Sequence, residues 1–159
     1  EANAAPGGKL PLPKGKETIL VVEDEANVRD LVARTLQRLG YRVLQAANGV
    51  EALGLWERRA GPIDLVLTDI VMPEMGGVEL SRQLHGRDRA VKVAFMSGYA
   101  DSHAAGARDQ RGSPSSDAMF LSKPFTVEML GLKVRAFLAH RQAAEETKAP
   151  APEPILRQA

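Results

Sequence analysis

Apolar positions along the chain follow two alternating rhythms. Four runs are nearly continuous in aliphatic and β-branched residues: TILVV at 18–22, DLVLTD at 64–69, VKVAFMS at 91–97 and MFLSK at 119–123. Runs of this kind suit strands buried on both faces. Tyr41–Ala46 alternates weakly and reads as a further strand. Between these runs the apolar residues recur at helical spacing. Ala26–Leu39 places Val28, Leu31, Val32, Leu36 and Leu39 on one helical face, and Gly40 ends that helix as a C-cap. Gly49–Arg59 carries Val50, Leu53 and Trp56 at spacing three. Val78–Leu84 follows a Gly76-Gly77 turn. Thr126–Arg141 begins on Thr126 as N-cap and turns Val127, Leu130, Val134 and Phe137 inward.

This alternation predicts an α/β fold: a doubly wound, five-stranded parallel sheet with helices on both faces and right-handed crossovers. Ala100–Ala118 breaks the rhythm, being rich in Ala, Gly, Ser and Asp. A fourth helix across Asp101–Arg108 would have almost no apolar face, so it is expected to be short or disordered. Residues 1–16 read as a flexible Pro/Gly-rich linker. The globular domain is expected over 17–141. Residues 142–159, with Pro150, Pro152 and Pro154 at alternate positions, read as a disordered polar tail.

Composition narrows the function classes. A chain of 159 residues with 44% hydrophobic content is large enough for one domain with a proper core. A net charge of +1 points to neither nucleic acid nor an acidic membrane surface as partner. The absence of cysteine excludes disulfides, thiolate zinc sites and cysteine nucleophiles. No apolar run approaches the roughly 18 residues of a membrane span. The chain starts at Glu1 with neither methionine nor a signal peptide, which suggests processing or a piece of a longer protein. His85, His103 and His140 lack helical metal-ligand spacing and read as surface residues.

In a doubly wound sheet the ligand site lies beyond the carboxyl ends of the strands. Those ends carry Glu23-Asp24, Asp69, Ser97 and Lys123-Pro124. Taken singly, each has a plain structural reading as a turn or cap residue. Together they collect three acids, a hydroxyl and a lysine on one rim. Two carboxylates about 4 Å apart repel by about 4 kcal/mol at an effective dielectric of ~20. A divalent cation removes that cost, and with so few protein ligands Mg²⁺ is the better fit. A carboxylate beside Mg²⁺ and opposite a lysine is a phosphoryl acceptor site, with Asp69 as nucleophile and Ser97 able to donate to the new phosphoryl group. Met72-Pro73 and Gly76-Gly77 set a tight path for the loop after Asp69.

The motifs VVEDE at 21–25, LTDIVMPEMGG at 67–77, FMSGYA at 95–100 and FLSKPF at 120–125 resemble the receiver domain of two-component response regulators. The resemblance implies the flavodoxin-like strand order 2-1-3-4-5, which periodicity alone does not establish. It implies Asp69 as phosphoacceptor, and Asp24 and Asp69 as direct Mg²⁺ ligands. Glu23 would act through water and the Val71 carbonyl would supply a further ligand. Lys123 and Ser97 would contact the phosphoryl group, and Phe120 would be the switch aromatic. Lys123-Pro124 would be cis. ETILVVEDE and GYRVLQAANGVEAL are most similar to receivers fused to the carboxyl end of sensor histidine kinases. On that reading the donor is a phosphorylated histidine kinase core. The recipient is a histidine phosphotransfer protein or another downstream protein, and nucleic acid and membrane make no direct contact. The domain would be cytoplasmic, with a parent kinase free to be membrane-bound, and would catalyse its own phosphorylation and slow dephosphorylation. Two alternatives stand beside it: a stand-alone single-domain regulator, and a Mg²⁺-dependent aspartyl phosphatase. The second usually needs another acid two residues after its nucleophile, where this chain has Val71.

Overall fold

The structure is a computed structural model and describes residues 11–98 and 119–139. Among the described residues nine elements follow one another: β1 (Thr18–Val22), α1 (Ala26–Arg38), β2 (Arg42–Ala46), α2 (Gly49–Arg58), β3 (Leu65–Asp69), α3 (Gly77–Arg87), β4 (Val93–Ser97), β5 (Met119–Ser122) and α4 (Val127–Ala139). The strands form one sheet in the order β2-β1-β3-β4-β5, and every neighbouring pair is parallel. This is the doubly wound, flavodoxin-like fold. The expected short helix between β4 and β5, the residues before 11 and the tail from 142 lie outside the described residues.

Because side chains alternate across a strand, the sheet feeds two cores. Ile19, Val21, Leu65, Leu67, Ala94, Met96 and Leu121 pack with Val32 and Leu36 of α1 and Leu130, Val134 and Phe137 of α4. Leu20, Val22, Val66 and Val93 pack with Ala52 and Trp56 of α2 and Leu80 and Leu84 of α3. β3 sits in the middle and is buried at all five positions, including the polar Thr68 and Asp69. A run this apolar had to be central, and its carboxyl end therefore opens into the middle of the rim.

The helix ends follow local rules. Gly40 takes φ +98, its N–H donates to Gln37 O at 3.0 Å, and Tyr41 N–H reaches Leu36 O at 3.2 Å. That pair of bonds is a Schellman cap. Asn48 Oδ1 accepts from Glu51 N–H at 2.9 Å at the start of α2. Thr126 Oγ1 accepts from Met129 N–H at 3.1 Å, the N-cap its position predicts.

The structure corrects several inward positions. Leu31, Val50 and Val127 are 57%, 50% and 45% exposed. Leu31 lies one residue off the buried stripe, where Ala33 and Thr35 replace it. Val50 and Val127 sit in the first turn of their helices. His85, read as a surface residue, is half-buried: Nε2 lies 3.1 Å from Val91 O and Nδ1 2.8 Å from Ser81 O. It ties the end of α3 to the chain entering β4.

Within the stretch read as linker, Leu12 and Gly15 touch the domain. Leu12 packs on the α1–α4 core, and Gly15 N–H donates to Leu39 O at 3.0 Å. Beside them Arg135 Nη2 donates to Glu17 Oε1 at 2.7 Å, joining α4 to the entry of β1. The guanidinium lowers the Glu17 pKa from its ordinary 4.5 to about 2. A depressed carboxyl contributes stability above its unfolded pKa and loses it as pH falls through the folded one. Glu17→Gln is therefore expected to cost about 1 kcal/mol near neutral pH, allowing for solvent screening of this partly exposed pair. The difference shrinks from about pH 4.5 downward and is lost as pH falls through about 2. Urea titrations of both proteins across that range check it.

Candidate functional site

The rim is assembled from three strand ends. β3 delivers Asp69, only 8% exposed, and β1 delivers Glu23, 1% exposed. The two carboxylates share one cation. Lys123 Nζ donates to Glu23 Oε2 at 2.8 Å and to Asp69 Oδ2 at 3.1 Å. The other oxygens are held by backbone: Ile70 N–H donates to Asp69 Oδ1 at 2.7 Å, and Glu25 N–H to Glu23 Oε1 at 3.1 Å. Asp24 is exposed at the mouth. Ligand atoms of Glu23, Asp24 and Asp69 all lie within 4.8 Å of one another.

The supporting contacts are backbone-rich. Lys123 N–H donates to Ser97 O at 2.8 Å, which locks the end of β5 to that of β4. Asp69 pairs in register with Met96, so Ser97, 2% exposed, stands one residue further along the neighbouring strand. The Lys123-Pro124 peptide is cis. Phe120 is half-buried further back, its ring 5.6 Å from that of Phe95. Val71 is 61% exposed, two residues past Asp69.

The loop after Asp69 folds back tightly. Met75 N–H donates to Pro73 O at 2.8 Å across Glu74, whose φ is +65. That is a γ-turn of the strained hand. Gly77 N–H then donates to Ile70 O at 2.9 Å, and Gly49 N–H to Met75 O at 3.0 Å. A β-carbon on Gly77 would stand 2.2 Å from Asp69 O, and one on Gly76 2.7 Å from Ile70 O. Both glycines are therefore required by close backbone approach.

Burial is the strongest single influence on both partners of the Glu23–Lys123 pair. It pushes Glu23 above the usual carboxylate range, against the opposing hydrogen bonds from Lys123 and the Glu25 N–H. It also pulls the Lys123 ammonium down, but the hydrogen bonds and charges of Glu23 and Asp69 outweigh it, so its pKa is raised overall. Among the described residues, three carboxylates against one ammonium leave the rim with a formal charge of −2. An all-oxygen donor set with that deficit, open at Asp24, fits a hard divalent cation such as Mg²⁺.

A family model described as the response regulator receiver domain matches residues 19–135. The chain belongs to the response regulator receiver family. The receiver is 42% identical over 125 residues to the sensor kinase CckA of Brucella abortus, covering 78% of this chain and 13% of that one. It is 37% identical to the response regulator receiver protein CpdR of the same organism, covering 76% and 95%. Among solved structures it resembles the receiver domain of the hybrid histidine kinase CckA, with TM-score 0.61, 36% identity, and 76% and 98% coverage. It also resembles TrrA from Thermotoga maritima in complex with Mg²⁺ and BeF, with TM-score 0.62, 34% identity and the same coverage.

Of the residues singled out in the sequence, Glu23, Asp24, Asp69 and Lys123 come together, Ser97 flanks them, and Val71 and Phe120 stand at the edges. Sequence reasoning missed Arg29, whose Nη1 donates to Glu23 O at 2.7 Å and anchors the acidic pair to α1. An arginine on a polar helical face carries no signal of that contact. The shared lysine has a measurable consequence. Lys123→Met leaves Glu23 buried without its cation, which is expected to lower stability by about 3 kcal/mol in EDTA. Mg²⁺ should then stabilise this variant more than the parent. Thermal melts with and without Mg²⁺ check both statements.

Proposed function

We propose that this receiver takes a phosphoryl group from a phosphohistidine onto Asp69, as the receiver part of a hybrid histidine kinase. The observation that carries the reading is the single ammonium shared by Glu23 and Asp69, with Asp24 within ligand distance of both. An Asp69 carboxylate oxygen attacks phosphorus, the P–N bond breaks, and the donor imidazole leaves with the electron pair. Hydrogen bonds from the Ile70 N–H and Lys123 hold that carboxylate in place before the donor arrives. Lys123 offsets charge on the transferred oxygens, and the Ser97 hydroxyl donates to one of them. Asp24, Asp69 and the Val71 carbonyl would hold Mg²⁺ directly and Glu23 through water. The ion supplies charge neutralisation at the transferring group. Once Ser97 and Lys123 engage the new group, Phe120 turns inward, and a pre-existing equilibrium shifts on the face around β4 and β5.

Similarity to CckA supports the hybrid context. On that reading the compartment is cytoplasmic and the recipient is a histidine phosphotransfer protein or another downstream protein. The near-complete coverage of CpdR favours a second reading, a stand-alone regulator. Both readings share the chemistry at Asp69. A radiolabelled histidine kinase core mixed with the receiver tests that chemistry. Label is expected to move to the receiver with Mg²⁺ and to stay on the kinase in EDTA. Retention of label on the kinase with Mg²⁺ present, while small-molecule phosphodonors also leave the receiver unlabelled, would overturn it.

A further inference from the structure

A groove of about 890 Å³ opens at the amino ends of β1, β2 and β3, the opposite end of the sheet from Asp69. Its floor is aliphatic, formed by Leu44, Leu55, Pro62 and Ile63. Its rim carries Lys16, Arg42, Arg58 and Arg59. The two acids that also line it are already engaged. Asp64 Oδ2 accepts from Thr18 N–H at 2.8 Å, and Glu17 is held by Arg135 at 2.7 Å. Among the described residues, none of the four rim cations forms an ion pair. Arg59 is held in place, its guanidinium 3.9 Å above the Trp56 ring while it donates to the Trp56 carbonyl. An aliphatic floor beneath four cations, of which Arg59 is held in place, suits an extended segment with aliphatic anchors and a carboxylate.

This chain carries such a segment in its sequence, and the last described helix ends beside the groove. Lys92 Nζ donates to Leu138 O at 2.7 Å, one residue before α4 ends at Ala139. The depression there shares Glu17, Ile63 and Asp64 with the groove. Beyond it, residues 143–159 carry Glu145, Glu146 and Glu153 against Lys148 and Arg157, with Ile155-Leu156 directly after the Pro-rich run. The stretch APAPEPIL at 149–156 favours extended backbone. From Ala139 to Glu153 is 14 residues, or about 43 Å at ~3.1 Å each, against a domain roughly 35 Å across.

We infer that residues 149–156 dock in this groove, with Ile155 and Leu156 on the Leu44–Leu55–Ile63 floor and Glu153 at the guanidinium rim. The groove is then an intramolecular peptide site on the face away from phosphotransfer.

Two-dimensional amide NMR on the full chain tests this, with Ala60, Gly61 and Ile63 as reporters. Ile155→Asp/Leu156→Asp is expected to shift the reporters. A synthetic peptide of residues 143–159, added in excess to that variant, is expected to return them to their full-chain positions. Arg42→Glu/Arg58→Glu, introduced into the same tail variant, is expected to weaken the peptide at least about tenfold, and about 0.5 M NaCl to weaken it several-fold. Identical reporter positions in the full chain and the tail variant would overturn the inference. So would reporter shifts that disappear on dilution, which would place the tail of a second copy in the groove. Equal binding of a poly-glutamate peptide would also overturn it, by showing that the site reads charge alone.

Discussion

Asp69→Asn is expected to abolish phosphorylation and raise stability at the same time. Asparagine keeps the hydrogen bond from the Ile70 N–H, made at 2.7 Å in the parent, so the β3 end stays in place. It lacks an anionic oxygen to attack phosphorus, and loss of a nucleophile removes most of the rate. A fall of at least about a thousandfold in acyl-phosphate formation is expected. The stability change has the opposite sign. Without Mg²⁺, three carboxylates have ligand atoms within 4.8 Å of one another, and among the described residues only Glu23 and Asp69 pair with the Lys123 ammonium. Removing one negative charge relieves repulsion by more than the weaker, 3.1 Å Lys123 contact gave, for a net gain of about 1 kcal/mol. The gain should shrink when Mg²⁺ is added, because the parent is then stabilised and the variant has lost a ligand. Labelling with acetyl phosphate and urea titration with and without Mg²⁺ read both effects. A variant that is still labelled, or less stable than the parent in EDTA, contradicts the site as described.

Gly77→Ala carries the second large effect. A methyl there would meet Asp69 O at 2.2 Å and Asp69 C at 3.1 Å. Neither atom can retreat, since β3 is central and its carboxyl end positions the Asp69 side chain. A cost of about 3 kcal/mol is expected, together with a severe loss of phosphorylation as the strand end is displaced. Gly86→Ala is the matched control in the same helix. Nothing lies within 4 Å of its added methyl. There the exchange should stabilise by about 0.5–1 kcal/mol through helix propensity and a less flexible unfolded chain. Denaturant unfolding of the two variants separates helix propensity from the close approach. Equal effects at both positions would contradict the geometry of the loop.

The elements were legible because their apolar spacing is strong. Leu20 and Val66 in the strands, Val32 and Leu36 in α1 and Leu130 and Val134 in α4 all lie in the core. Gly40 and Thr126 cap where local chemistry says they must. The misreadings have a common cause. Leu31, Val50 and Val127 are apolar at nearly the right spacing, yet each stays about half exposed. Hydrophobicity shows which residues favour burial, and the edge of the packing partner decides which achieve it. His85 fails in the reverse sense: a lone histidine has no pattern, and only its place opposite the Val91 carbonyl half-buries it.

By itself, the sequence determined the alternation of strands and helices, the two-sided sheet and the rim that collects acids, hydroxyl and lysine. All of these follow from periodicity and from which residues end each buried run. The tertiary structure decided the contacts between residues distant in the chain. Lys123 reaches Glu23 across a separation of 100 positions and Asp69 across 54, and Arg29 holds the Glu23 carbonyl. It also decided which glycines are obligatory, because a close approach such as Gly77 to the Asp69 carbonyl appears only after the loop folds back. The physical reason is the range of the forces. Burial and backbone preference act on neighbours and leave a periodic trace, whereas an ion pair or a steric contact exists only when packing has brought its partners together.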